Sequence, residues 1–343
     1  MSSSRVEPTR WILSVADLLG LSDLPGPDTA SGEAVRQRSL NVLRPAGALS
    51  RLDEIAVWLA EWQRSPRPIV ERPAAVIFVA DHGVASEGVS AYDQSITRAM
   101  LDALNAGVAT AAVMARHLEV DLVVVDVGVG RPTGNIRIEP ALDPNEFEQA
   151  LLAGRRAVAE LDTDLLILGE MGIGNTTPAA AIATSLFGSP ATKWVGPGTG
   201  VNEAGIAHKA SVVSESVQRA GDVQPIEALR HLGGSEMVAM AGAAIEARHR
   251  SIPVLLDGYV VASSLMPLEC ARPGALDHCW PAHVSSEPGH RLLLEKLGRK
   301  PILDLHMRLG EGSGALAALP IVKLAAASVT EVATFSEWGL TSD

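Results

Sequence analysis

A single acid stands between two glycines in Leu309-Gly-Glu-Gly-Ser-Gly-Ala315. Glu311 sits on a tight turn, and the Ala- and Leu-rich stretch behind it reads as a helix. As an acid at a helix start, such a carboxylate gains under about 1 kcal/mol from the helix dipole. Aimed into a pocket, it is a general base. Gly169-Glu-Met-Gly-Ile-Gly-Asn-Thr-Thr177 is a stronger local signal. Gly172 and Gly174 let backbone N–H groups approach a ligand closely. Asn175, Thr176 and Thr177 are suited to cap the helix that follows, whose first turn carries unsatisfied donors. The stretch reads as an anion cradle or as a structural turn. It is not a Walker A loop, because no Gly-Lys-Ser/Thr follows.

Two further stretches carry chemistry. Gly196-Pro-Gly-Thr-Gly-Val201 is a second glycine-rich loop, followed by Asn202, His208 and Lys209 on a predicted helix. Lys209 is a candidate cation for a phosphate, although a lone surface lysine is usually just solvated. His283-Val-Ser-Ser-Glu-Pro-Gly-His290 packs hydroxyls, a carboxylate and two imidazoles into eight residues. It has no Gly-x-Ser-x-Gly elbow, which argues against a hydrolase triad.

The elements that must position these residues are legible as a rhythm. Four apolar runs read as strands buried on both faces, hence a parallel sheet: Ala75-Val-Ile-Phe-Val-Ala80, Leu122-Val-Val-Val-Asp126, Leu165-Leu-Ile-Leu168 and Pro253-Val-Leu-Leu256. Pro301-Ile-Leu-Asp-Leu305 is a weaker fifth. Helical stretches over residues 95–117, 146–160, 177–187 and 236–248 alternate with them, as βαβ units require. The loops after the runs carry acids: Asp81-His-Gly83, Asp126, Glu170 and Asp257-Gly-Tyr259. In open parallel sheets ligands bind outside the carboxyl ends of the strands, so these loops converge on one edge. Turn propensity explains their glycines but not the recurring acids, although acids near helix N-termini are also favoured by the dipole. The expected organisation is an N-terminal helical segment, residues 1–70, with helical patterning over 40–63, then a parallel-sheet α/β catalytic domain, 73–315, then a C-terminal helical segment, 316–343.

Composition narrows the classes. The chain has 343 residues, 47% of them hydrophobic, and a formal net charge of −12. That supports a large buried core and argues against nucleic acid, whose binding needs clustered Lys and Arg. Cys270 and Cys279 are the two cysteines, too few for a disulfide framework and consistent with the cytosol. Zinc held by these with His278 and His283 is disfavoured by the irregular spacing. Residues 1–10 are polar and carry no signal-peptide pattern, and apolar stretches such as residues 74–80 are too short to span a bilayer. A nicotinamide-dependent oxidoreductase needs Gly-x-Gly-x-x-Gly after its first strand. Here that strand leads into Asp81-His-Gly83.

The ordered set of motifs carries a resemblance. Asp81-His-Gly-Val-Ala-Ser-Glu-Gly-Val-Ser90 with Gln94, Glu170-Met-Gly-Ile-Gly-Asn-Thr-Thr177, Gly196-Pro-Gly-Thr-Gly200, Gly233-Gly-Ser-Glu-Met237, Leu256-Asp-Gly-Tyr259, His283-Val-Ser-Ser-Glu-Pro-Gly-His290 and Arg308-Leu-Gly-Glu-Gly-Ser-Gly-Ala315 occur in this order. The set resembles the nicotinate-nucleotide–dimethylbenzimidazole phosphoribosyltransferase family of the cobalamin lower-ligand branch, over roughly residues 35–335. The resemblance implies transfer of phosphoribose from nicotinate mononucleotide to 5,6-dimethylbenzimidazole, with inversion. It implies a Rossmann-like parallel sheet, a small helical domain from both chain ends, a homodimer, and no metal or cofactor. It matches Glu311 to the catalytic base and Ser86, Gln94 and Met171 to the base pocket. It matches Gly174, Asn175 and Thr176, with Gly198, Gly200 and Lys209, to the phosphate site. Glu170, Asp257, Ser285, Ser286 and Gly310 match residues around the ribose and nicotinate. His306, Met307 and Ser235 depart from the usual pattern, which leaves the acceptor base open. A non-catalytic paralogue would be favoured by loss of the acid at 311, and the acid is present.

Overall fold

Residues 73–80 put alternate side chains to opposite sides, and both sides are apolar. In a computed structural model, which describes residues 19–340, this stretch is β1 (Pro73–Ala80), buried along its whole length. It pairs in parallel with β2 (Asp121–Gly128) on one side and β3 (Leu165–Met171) on the other. β4 (Val254–Leu256) and β5 (Cys279–Pro281) continue the sheet in the order 2-1-3-4-5, all parallel. The parallel sheet predicted from the apolar runs is therefore present.

The period-2 rule divides the core. Val76, Phe78, Leu166, Leu168, Val254 and Leu256 join one apolar cluster, while Ala75, Ile77, Val79, Leu165, Ile167 and Leu255 join another on the opposite face. Helices cover both. In chain order they are α1 (Thr29–Ser39), α2 (Ser50–Gln63), α3 (Ser95–Asn105), α4 (Thr110–His117), α5 (Pro144–Ala159), α6 (Thr176–Phe187), α7 (Glu203–Ala220), α8 (Pro225–Leu232), α9 (Ser235–His249), α10 (Tyr259–Ala271), α11 (Pro288–Leu297) and α12 (Ser313–Thr330). α5 is started by a capping box in which Asp143 and Glu146 bond each other's backbone, with Pro144 at the first turn.

Several sequence expectations are corrected. Residues 301–305 form no strand. Leu303 makes one parallel bridge with His283, and the fifth strand is the three-residue Cys279–Pro281. Pro301 has no N–H to give a ladder, and β5 is too short to show a strand pattern. The helical stretch 95–117 is two helices, broken where Gly107 takes φ 73°. The patterning over 40–63 becomes helix only from Ser50.

α12 is long and apolar enough to cross a membrane by composition. Here it is a core helix, with Ala315, Leu316, Leu319 and Val322 wholly buried against α2, α4 and β3. The two ends of the described chain meet. Arg38 donates to the Val329 and Val332 carbonyls and pairs with Glu337, and Val42 bridges Thr334. Residues 1–18, on which the signal-peptide expectation rests, lie outside the described residues.

Candidate active site

The strand order reverses direction between β1 and β3, and their carboxyl ends open a crevice there. A cavity of about 410 Å³ sits at this edge. Of the residues singled out from sequence, Glu170, Met171, Asn175, Thr176, Gly198, Ser285, Gly310 and Glu311 line it. Ser86, Gln94, Gly174, Gly200, Lys209, Asp257 and Ser286 do not. Gly174 and Gly200 shape the loops from behind, at φ 89° and 123°. Ser86 is exposed and donates to the Gly83 carbonyl, and Gln94 immediately precedes α3. Ser286 is exposed, with its N–H on the Met307 carbonyl.

Glu311 is 3% exposed and one of its carboxylate oxygens, Oε2, has no partner in the protein. Gly310, Glu311 and Gly312 have φ of 87°, 59° and 75°, so the acid rides on a left-handed turn. The Glu311 N–H donates to the Glu170 carbonyl at 3.1 Å, which fastens the turn to the end of β3. Burial raises the Glu311 carboxyl above the ordinary carboxylate range, and the charge of Asp257 adds to this. A hydrogen bond from the Ala111 N–H in the first turn of α4 works against it.

Glu170 is also buried, 7% exposed, and accepts from the Asn175 side-chain amide. Burial, then the negative charges of Glu236, Asp257 and Glu311, hold its carboxyl well above the usual range. Asn175 has the residue type of a cap for α6. Its side chain is diverted to Glu170, and no side chain caps that helix. The N-terminus of α6 therefore faces the cavity through Asn175 and Thr176, an end suited to an anion.

Lys209 is buried behind this loop rather than solvated, at 1% exposure. Its ammonium donates to Thr176 Oγ1 at 2.6 Å and to the Gly196 carbonyl at 3.4 Å, which ties the two glycine-rich loops together. Burial lowers it to about 8, partly offset by the charge of Glu287. Gly198 takes φ 53°, and a Cβ there would lie 2.9 Å from Thr176 Oγ1 and 3.0 Å from Lys209 Nζ.

Sequence reasoning missed several lining residues. Glu287 is 5% exposed and accepts from the Gly198 N–H at 2.8 Å, and burial raises its carboxyl. Arg308 lines the cavity and donates to the Gly198 carbonyl. Tyr92, Ile96 and Met100, with Met171, give an apolar wall. Ile96 and Met100 are four apart on α3, so the wall was readable as one helix face. Among the described residues, no group of three His, Cys, Asp or Glu is placed to hold a metal ion.

The chain matches the model of a family described as "Phosphoribosyltransferase" over residues 24–340. The chain belongs to this phosphoribosyltransferase family. It is 46% identical over 324 residues to the nicotinate-nucleotide–dimethylbenzimidazole phosphoribosyltransferase of Allorhizobium ampelinum, covering 94% of this chain and 95% of that one. Identity to the enzyme of the same name from Methylorubrum extorquens is 47% over 320 residues, 92% of this chain and 93% of that one. The crystal structure of CobT from Thermus thermophilus is 40% identical and superposes with a TM-score of 0.87, covering 92% of this chain and all of that one. The family recognised from the ordered motifs is thus the family found, and the sheet described above is its fold.

A phosphoribosyltransferase that uses Glu311 as base needs it ionised. Because the carboxyl is raised, its ionised fraction falls as pH drops through a value above the ordinary 4.5. The acid limb of the kcat/KM profile is therefore expected above pH 4.5, with activity lost below it about tenfold per pH unit. A limb at or below 4.5 would contradict the burial assigned to Glu311.

Proposed function

We propose that this enzyme transfers the 5-phosphoribosyl group from nicotinate mononucleotide to 5,6-dimethylbenzimidazole, giving α-ribazole 5′-phosphate and nicotinate. The observation that carries this reading is the buried Glu311 carboxyl, with an unpartnered oxygen, in a cavity with both an anion-binding loop and an apolar wall. The names of relatives that share nearly the whole chain support the two substrates.

The chemistry follows from the groups present. Nicotinate on the ribosyl carbon is a pyridinium, so it leaves as neutral-ring nicotinate with the electron pair of the breaking C–N bond. One benzimidazole nitrogen attacks the same carbon from the opposite face, which inverts it from β to α. The other ring nitrogen loses its proton to Glu311 as attack proceeds. The helix N-terminus at Asn175 and Thr176, with Arg308, suits the phosphate. Tyr92, Ile96, Met100 and Met171 suit a flat, apolar acceptor ring. Glu170, held by the Asn175 amide at the cavity wall, suits contact with the ribose or nicotinate. The assembly is read as a cytosolic homodimer, and light scattering of the purified chain checks the dimer.

The product decides the stereochemistry. Proton NMR of the isolated nucleotide is expected to show the α anomer, and a β product would overturn the in-line displacement. Lys209→Ala tests the phosphate site. The variant removes the ammonium that ties Thr176 to the Gly196 carbonyl behind the loop, a charged hydrogen bond worth about 1.5–3 kcal/mol, so affinity for nicotinate mononucleotide should fall roughly 10-fold or more, with the KM of the free base less affected. Equal nucleotide affinity in both proteins would remove Lys209 from the phosphate site.

A further inference from the structure

We propose that Asp257 is a positioning residue, which holds the turn that carries Glu311 and does not touch the nucleotide. The inference rests on the reading of Glu311 as the base and deepens it. Asp257 ends the β4 edge at 1% exposure and does not line the cavity. Its Oδ2 accepts from the Gly312 N–H at 3.2 Å, and its Oδ1 from the Gly314 and Ala315 N–H groups at 2.7 and 3.0 Å. His283 Nε2 stands 3.5 Å from Oδ1. A carboxylate has about four lone-pair sites. Three backbone N–H groups take three of them, two on Oδ1 and one on Oδ2, and the carboxylate is buried away from the cavity lining.

The turn needs such a clamp. Three successive residues with positive φ are rare, and Glu311 is the one without glycine's freedom. A non-glycine residue held there is strained, and strain of this kind persists only where the surroundings over-determine it. Two anchors do so here. The Glu311 N–H is fastened to the Glu170 carbonyl on one side of the turn, and Asp257 takes the backbone immediately after it on the other. α12 has no side-chain cap from its own N-cap residue, Gly312, so Asp257 also supplies the anion at that helix end. These bonds to an ionised acceptor are the strong kind.

The clamp also sets the charge near the base. The groups facing Glu311 are Asp257, the Ala111 N–H of α4 and Glu170 of β3. Burial raises the Glu311 carboxyl most, the Ala111 N–H pulls it down, and the charge of Asp257 adds a smaller rise.

Asp257→Asn, with Glu311→Gln beside it, is the test. The amide turns an NH2 toward backbone N–H groups, so at least one bond is lost and the turn shifts. A displacement near 1 Å is worth about 10²-fold in rate. The expected result is a fall in kcat of that order, unchanged calorimetric affinity for nicotinate mononucleotide, and an acid limb moved to lower pH. A merely structural defect that opened the site would weaken nucleotide binding together with kcat, which the calorimetry reads. Weakened nucleotide binding with kcat retained would make Asp257 a substrate ligand and overturn the inference. Turnover retained by Glu311→Gln would instead remove the base reading itself. The wild-type complex with nicotinate mononucleotide gives an answer independent of whether the variant folds. No nucleotide atom is expected within about 3.2 Å of an Asp257 oxygen, and one that close would overturn the proposal.

Discussion

Glu311→Gln is expected to lower kcat by about 10²–10⁴ while leaving the affinity for nicotinate mononucleotide unchanged. Glutamine keeps the volume of the side chain and the backbone bond from residue 311 to the Glu170 carbonyl. It cannot take a proton from a benzimidazole N–H. The loss should appear in kcat and kcat/KM alike, because the interaction exists only as the proton moves. The residual rate is the part that alignment in the cavity supplies. Its pH profile should lose the acid limb assigned to Glu311, which distinguishes loss of a base from a misplaced turn. Steady-state kinetics and calorimetry on the same preparation check this. An unimpaired variant would show that another group accepts the proton.

The second large effect is expected away from any substrate contact. Gly169 lies on β3 directly under the turn that carries Glu311. A Cβ added there would come within 2.6 Å of the Gly312 nitrogen and 2.8 Å of the Glu311 carbonyl carbon. Both neighbours are backbone, so no flexible side chain can move aside. Gly169→Ala must lift the turn or distort β3. Overpacking of this kind destabilises by about 1–3 kcal/mol. A shift of the turn near 1 Å should lower kcat about 10²-fold, with the loop at Asn175 and Thr176, proposed above for the phosphate, less affected. Thermal unfolding and kcat measured together test this. Wild-type turnover in Gly169→Ala would mean that the position of Glu311 is not set by the contact with β3.

These two variants show what was legible in the sequence and what was not. The runs of Val, Ile and Leu announced a parallel sheet, although the edge strand β2 is only half-buried rather than covered on both faces, and period 2 sorted the inner strands' side chains into the two observed clusters. The glycines of residues 169–177 and 196–200 marked backbone that must bend. Glu311 stood out because glycines flank it. Other features depend on three-dimensional neighbours that spacing does not encode. Asp257 reads as another acid after a strand, yet its oxygens face the N–H groups of a helix more than fifty residues later. Lys209 reads as a surface cation on an amphipathic helix. Burial against Thr176 makes it an internal tie between loops. Asn175 has the residue type of a helix cap, and the nearby Glu170 carboxyl captures its amide instead. Residues 301–305 have strand composition, but Pro301 and the short β5 leave room for one bridge only. Glu287 was in view within its motif, and only its approach to the Gly198 N–H shows that it belongs to the site.

The most direct test of the account is turnover by the purified chain with nicotinate mononucleotide and a panel of bases, followed by nicotinate release. Release is expected to depend on an added benzimidazole, with 5,6-dimethylbenzimidazole turned over to an α-ribonucleotide. No nicotinate release with any base in the panel would contradict it.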